Sequence, residues 1–202
     1  METEMIKVLH DVLSKEEVNA LQKEYESHTD YYTSFMNIAA PGDAAVVIDE
    51  LMYGYERVGG NYYKHDYPYL PHTDHRKEWE NTINVVVPIH TTDPNASLVV
   101  FDQQYHEDSV TWCFDHLMEF KVNTGIIGRP YDYSQVTNLS DQPISKDLYE
   151  KLKWTDQDNW FGLTGQALDF KPGNLLIFDN KNIHATGVLN GTKLGLSLRY
   201  KI

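Results

Sequence analysis

The longest apolar runs in this chain, INVVVPI (residues 83–89) and NLLIF (174–178), are strand-length. They are far too short for the roughly 20 residues a membrane-spanning helix needs. From Met52 onward the pattern becomes short apolar or alternating runs, each followed by a turn signal. MYGYERV ends at Gly59-Gly60, which reads as a turn. TINVVVPIH and SLVVFDQ are strands. QALDFKPGNLLIFDN is a pair of strands separated by Pro172-Gly173, and KLGLSLRYKI is the last strand. Regularly spaced short strands predict an all-β sandwich or barrel. Before them, IKVLHDVL (6–13) reads as an opening strand. SKEEVNALQKEYESH reads as a helix, because Ser14 and Glu17 have capping-box spacing and Val18, Leu21 and Tyr25 share one helical face. PGDAAVVIDEL fits a strand or a helix equally.

At 202 residues the chain suits one domain with a substantial core. Its 30 acidic and 17 basic residues give a formal net charge of −13, a field that repels phosphate backbones and argues against nucleic acid as a partner. The single cysteine, Cys113, excludes an intrachain disulfide and a thiolate zinc cluster. METEMIKVLHDVL lacks the basic start and apolar stretch of a signal peptide, so the expectation is a soluble cytoplasmic protein without a membrane segment. Residues 102–166 interrupt the strand pattern with a long polar, aromatic excursion carrying Trp112, Tyr131, Tyr133, Trp154 and Trp160. Within it, Ser145 to Lys153 can form a short helix. An insert of this length serves as a lid over a site, or as an added packing layer or oligomer contact.

The stretch YLPHTD (69–74) raises the question of chemistry. A His-x-Asp pair on extended chain points both side chains the same way, so both can reach one ion. Two histidines and one carboxylate on one face of a metal are the usual donors for iron(II), leaving positions open for oxygen and a co-substrate. The pair occurs three times here, as His28–Asp30, His72–Asp74 and His106–Asp108. The first follows a helix and the last sits in a polar loop, and both read as solvated residues. His72–Asp74 alone lies between a Gly-aromatic segment and a strongly apolar strand. A distant strand must supply the third donor, and His184, after the Pro-Gly turn and LLIF, is the candidate. Taken alone it would be an ordinary strand-end histidine. Its surroundings argue otherwise, because Lys193, Gly195, Ser197 and Arg199 alternate along the last strand and share a face. If that face lines a barrel, its cations need an anion, and a dicarboxylate co-substrate would provide one. Three protein donors without a thiolate favour iron over zinc.

VGGNYYKHDYPYLPHTD, FKPGNLLIFDNKNIHATG and NGTKLGLSLRY, in that order, resemble the iron(II)- and 2-oxoglutarate-dependent dioxygenases, of the prolyl 4-hydroxylase-like or phytanoyl type. The resemblance covers most of the chain outside residues 102–166. It implies a mainly β fold, a double-stranded β-helix (a jelly-roll or cupin-like barrel) with a flanking N-terminal helix and a long insert, forming one oxygenase domain over 1–202. It also implies His72, Asp74 and His184 as iron ligands, with O2 and 2-oxoglutarate as co-substrates. The distal carboxylate of 2-oxoglutarate would be anchored by Lys193, the lysine form seen in prolyl 4-hydroxylases. The Arg-x-Ser form is absent, since Gly195 follows Lys193 at that spacing. Arg199 is the alternative anchor, although spacing from His184 favours Lys193, and Tyr62 or Tyr63 could add a hydroxyl to the same carboxylate. The implied reaction is hydroxylation of an unactivated C–H bond in a small molecule or an amino-acid or peptidyl residue, with release of succinate and CO2. The competing reading is a cupin-like metal-binding barrel, an isomerase or ligand-binding module without 2-oxoglutarate turnover. The shared Lys193/Arg199 face argues against it.

Overall fold

Along the terminal strand, Leu194, Leu196, Leu198 and Tyr200 belong to one apolar cluster, while Lys193, Ser197 and Arg199 border a cavity on the other face. The rest of the molecule is built around that division. The computed structural model describes residues 6–28, 37–69, 71–74, 80–105, 111–112, 128–129, 136–137, 139–153 and 162–202. Asp30, His106, Asp108, Cys113, Tyr131, Tyr133, Trp154 and Trp160 lie outside the described residues, as do the side chains of Trp112 and Arg129.

In chain order the strands are β1 (Lys7–Leu9), β2 (Asn37–Ala39), β3 (Glu56–His65), β4 (Thr82–Thr91), β5 (Ser97–Tyr105), β6 (Thr111–Trp112), β7 (Gly128–Arg129), β8 (Val136–Thr137), β9 (Gly165–Asp169), β10 (Leu175–Asp179), β11 (Asn182–Thr186) and β12 (Lys193–Lys201). The helices are α1 (Lys15–Ser27), α2 (Val46–Leu51) and α3 (Lys146–Lys151). A six-stranded antiparallel sheet runs β1-β10-β4-β12-β3-β2. A smaller antiparallel sheet has β11 on one side of β5 and β8 and β9 paired with β5 as well. Together they form the double-stranded β-helix that the motif order implies.

Three apolar clusters locate the core. The outer face of the large sheet packs Val85, Val87, Leu196 and Leu198 against Val18 and Leu21 of α1 and Ile48 of α2. Between the sheets, Val86, Leu176 and Phe178 meet Leu98, Val100 and Leu168. The outer face of the small sheet packs Val99 and Phe101 against Leu148 of α3 and Leu152 just after it. β4 is therefore buried on both faces, which is why its sequence reads as a continuous apolar run instead of an alternation.

The opening elements follow the sequence closely. Ser14 Oγ accepts from Glu17 N, and the Glu17 carboxylate accepts from Ser14 N at 2.6 Å, completing the capping box. The ambiguous PGDAAVVIDEL becomes a 3-10 turn at Asp43–Ala45 followed by α2. Glu24 of α1 holds that turn by accepting from Gly42 N (2.8 Å) and Ala44 N (2.7 Å).

One expectation needs correction, and another gains a detail of topology. Gly59-Gly60 is not a turn, because β3 runs straight through it. At Gly60 a Cβ would sit 2.5 Å from Leu198 Cδ2 and 2.8 Å from Ser197 O on the neighbouring strand, so close approach explains the glycine. The strands flanking Pro172-Gly173 are not partners. β9 pairs with β5, and β10 with β1 and β4, so the turn carries the chain from one sheet to the other. Gly173 has φ +92° there, and its carbonyl accepts from Val12 N and Leu13 N.

Candidate metal centre

His72 and His184, 112 positions apart in the chain, are joined by backbone. His72 N donates to His184 O and His184 N donates to His72 O, both at 2.9 Å. Thr186 N donates to Tyr69 O at 3.1 Å, so the segment leading to His72 runs alongside β11. Reciprocal bonds of this kind define a directly opposed antiparallel pair, which sends both side chains to the same face. The two rings lie 4.0 Å apart between centroids. Asp74, two residues on, points the same way. One donor atom from each of His72, Asp74 and His184 lies within 4.8 Å of the others, an arrangement that can hold one divalent ion.

Each donor is held by its surroundings. His184 Nδ1 lies 3.0 Å from Asn182 O. A carbonyl only accepts, so Nδ1 carries the proton and Nε2 is left as a lone-pair donor 3.7 Å from Asp74 Oδ2. Burial lowers the His184 pKa, which keeps the ring neutral and able to ligate. Asp74 Oδ2 accepts from Asn84 Nδ2 at 3.1 Å and pairs with Arg199 Nη2 at 3.3 Å. Burial works to raise the Asp74 pKa, but the charge and hydrogen bond of the Arg199 guanidinium outweigh it and hold the carboxyl well below the usual range.

All three side chains border a cavity of about 400 Å³. Lys193 enters it from the start of β12, with 1% of its surface exposed. Its Nζ donates to Thr186 Oγ1 at 2.7 Å and lies 4.9 Å from the Phe170 ring centroid and 5.8 Å from that of Tyr63. Among the described residues no carboxylate pairs with it, and burial pushes its pKa down to about 7.

The structure separates the sequence alternatives. Tyr63 borders the cavity. Tyr62 does not: the period of two along β3 turns it to the outer face, where it is fully buried in the helix-facing cluster and its hydroxyl donates to Glu24 Oε1 at 2.6 Å. Arg199 borders the cavity but is directed to Asp74, so it supports a candidate metal donor, whereas Lys193 is the cation left for an incoming anion. Gly195 stands where the Arg-x-Ser form has serine. A Cβ there would lie 2.5 Å from Tyr63 Oη, so the Tyr63 hydroxyl occupies that space. Sequence reasoning missed Asn84, whose signal was a polar residue inside INVVVPI. It also missed His65, on the cavity face of β3 with Asn61 and Tyr63.

No family model and no curated protein matches the sequence. The fold matches solved structures. One is HygX from Streptomyces hygroscopicus with nickel and 2-oxoglutarate bound, 13% identical, covering 97% of this chain and 82% of that one with a TM-score of 0.54. The epimerase SnoN in complex with Fe3+, alpha ketoglutarate and nogalamycin RO is 13% identical over 97% of this chain and 78% of its own, with a TM-score of 0.51. The alpha ketoglutarate dependent carbocyclase SnoK from nogalamycin biosynthesis is 10% identical over 96% and 79%, with a TM-score of 0.54. The chain thus shares the double-stranded β-helix fold of these non-heme enzymes.

Proposed function

We propose that this protein is an iron(II)- and 2-oxoglutarate-dependent enzyme acting on a small molecule, with His72, Asp74 and His184 holding the iron. The observation that carries the reading is the convergence of that donor set beside a buried, carboxylate-free lysine in one cavity. The residues fit both groups. Two imidazoles and an ionised carboxylate without a thiolate suit iron(II), and an ammonium this deeply buried calls for an anion. Bound there, iron with 2-oxoglutarate and O2 supplies oxidative decarboxylation to succinate and CO2, coupled to removal of hydrogen from a substrate C–H bond.

The chain's own residues do the rest. Arg199 and Asn84 keep Asp74 ionised and aimed. Asn182 O fixes the His184 tautomer. Lys193 neutralises the distal carboxylate of 2-oxoglutarate, with the Tyr63 hydroxyl donating to the same group. The apolar walls around Val86 and Leu98 exclude water. Hydroxylation is the outcome we favour. The epimerase and carbocyclase relatives make stereoinversion and ring closure the outcomes to test beside it. Residues 102–166 select the substrate, within a single domain spanning 1–202. Of that insert, α3 packs on the outer face of the small sheet as an added layer.

The test is anaerobic. Iron(II) and 2-oxoglutarate added together should give a visible absorption band that neither gives alone, and Asp74→Ala should abolish it. Iron binding without that band would favour the cupin-like barrel.

A further inference from the structure

His65 is the unexplained group of the cavity. It is 6% exposed, borders the cavity, and neither Nδ1 nor Nε2 has a hydrogen-bond partner. A neutral imidazole still carries one donor and one acceptor, and leaving both unpaired in a buried position is costly. Native interiors pair the large majority of buried side-chain polar atoms, so these two nitrogens point to a polar partner that enters the cavity. The ring is enclosed by Tyr63, Tyr67 and Tyr69, with centroids 5.5, 5.2 and 6.3 Å away. In the β3–β12 register His65 stands directly opposite Lys193. Directly opposed residues present their side chains on one face within contact range, so the imidazole and the ammonium serve the same end of the cavity. Burial first, then the Lys193 charge, hold His65 well below the usual histidine range, leaving a neutral ring.

We propose that His65 is a second anchor for the anion that Lys193 holds, donating an imidazole N–H to the distal carboxylate of the bound 2-oxoglutarate. This rests on the reading of the cavity as a metal and 2-oxoglutarate site. A neutral donor adds a directional bond without a second buried charge, so it reads where a carboxylate ends. The cavity would thereby select a five-carbon dicarboxylate over shorter metal chelators.

The experiment uses anaerobic calorimetry on the Mn(II)-loaded full chain with two probes, 2-oxoglutarate and oxalate. Oxalate chelates the metal but has no distal carboxylate. His65→Phe should weaken 2-oxoglutarate about ten- to hundredfold, the range for a hydrogen bond to a charged group, and leave oxalate unchanged. His65→Gln should recover most of the loss. Equal weakening of both probes, or no weakening of either, overturns the proposal, while the co-substrate reading is tested separately by Lys193→Ala, which should abolish 2-oxoglutarate binding and spare oxalate. Wild-type protein that binds oxalate but not 2-oxoglutarate overturns both. Should His65→Phe fail to fold, the ring 15N resonances of His65 in zinc-loaded wild type decide. They should shift on adding 2-oxoglutarate and not on adding oxalate, and unchanged resonances reject the role.

Discussion

Lys193 concentrates the residue-scale physics. Its pKa is pushed down to about 7 by burial alone, against about 10.4 for an exposed lysine. In the window between those values the unfolded chain binds more protons than the unliganded fold, so this residue makes unliganded stability rise with pH. An anion in the cavity reverses the balance by holding the proton on. Binding of 2-oxoglutarate to metal-loaded protein should therefore be strongest below pH 7 and weaken as pH rises to 9, by up to about tenfold per unit. In Lys193→Arg the charge persists throughout, so the residual affinity should be flat over that range. Calorimetry at constant ionic strength checks both. Gly195 makes the complementary point. Restoring the serine of the Arg-x-Ser pattern would put a Cβ 2.6 Å from Tyr63 Cζ and 3.0 Å from Phe170 Cζ. Gly195→Ser should displace the Tyr63 ring and weaken 2-oxoglutarate at least fivefold (about 1 kcal/mol, one hydrogen bond) with metal affinity unchanged. Undiminished binding would remove Tyr63 from the anchor.

At the scale of elements, the large sheet is tied to its covering helices by polar contacts as well as by apolar packing. Glu24 on α1 accepts from the Tyr62 hydroxyl of β3 and from two backbone N–H groups before α2. On the same strand, Gly59 and Gly60 separate two explanations of a Gly-Gly pair. A Cβ at Gly59 meets nothing within 4 Å, whereas one at Gly60 runs into the β12 backbone. Gly60→Ala should cost about 1–3 kcal/mol, the usual penalty of overpacking. Gly59→Ala should be nearly neutral. Denaturant unfolding of both variants tests this, and a penalty shared equally between them would remove close approach as the reason for Gly60.

For the whole molecule, the candidate metal centre is a clasp between distant parts of the chain. One ion at His72, Asp74 and His184 would hold the 71–74 segment onto β11. A ligand that binds only the folded state at one hundred times its Kd adds about 2.7 kcal/mol. For a chain of this length that is a rise in Tm of roughly 5–10 °C. Mn(II) should produce such a shift in a thermal melt, 2-oxoglutarate should add to it only when the metal is present, and His184→Ala should abolish both. A shift that survives His184→Ala would place the ion elsewhere. No helix among the described residues is long and apolar enough to cross a membrane.

Features that depend on local periodicity and local chemistry were legible in the chain alone. The Ser14–Glu17 spacing specified the capping box, and the alternation of KLGLSLRYKI placed Lys193, Ser197 and Arg199 on one face. His72-x-Asp74 and the distal His184 could be named as a donor set because chain order and flanking strands carry that pattern. Tertiary structure decided everything that depends on cross-strand register and on which face a residue of mixed character takes. Tyrosine is apolar in its ring and polar at its tip, so nothing in NYYKH says whether Tyr62 or Tyr63 turns inward. The pairing of β3 with β12 and the packing of α1 settle it. Lys193 and Arg199 share a face of the strand, and the fold sets Asp74 beside Arg199 while leaving Lys193 with no carboxylate partner among the described residues. His65 had no motif at all. Its isolation is a property of burial, and burial is created only when strands distant in sequence close over it.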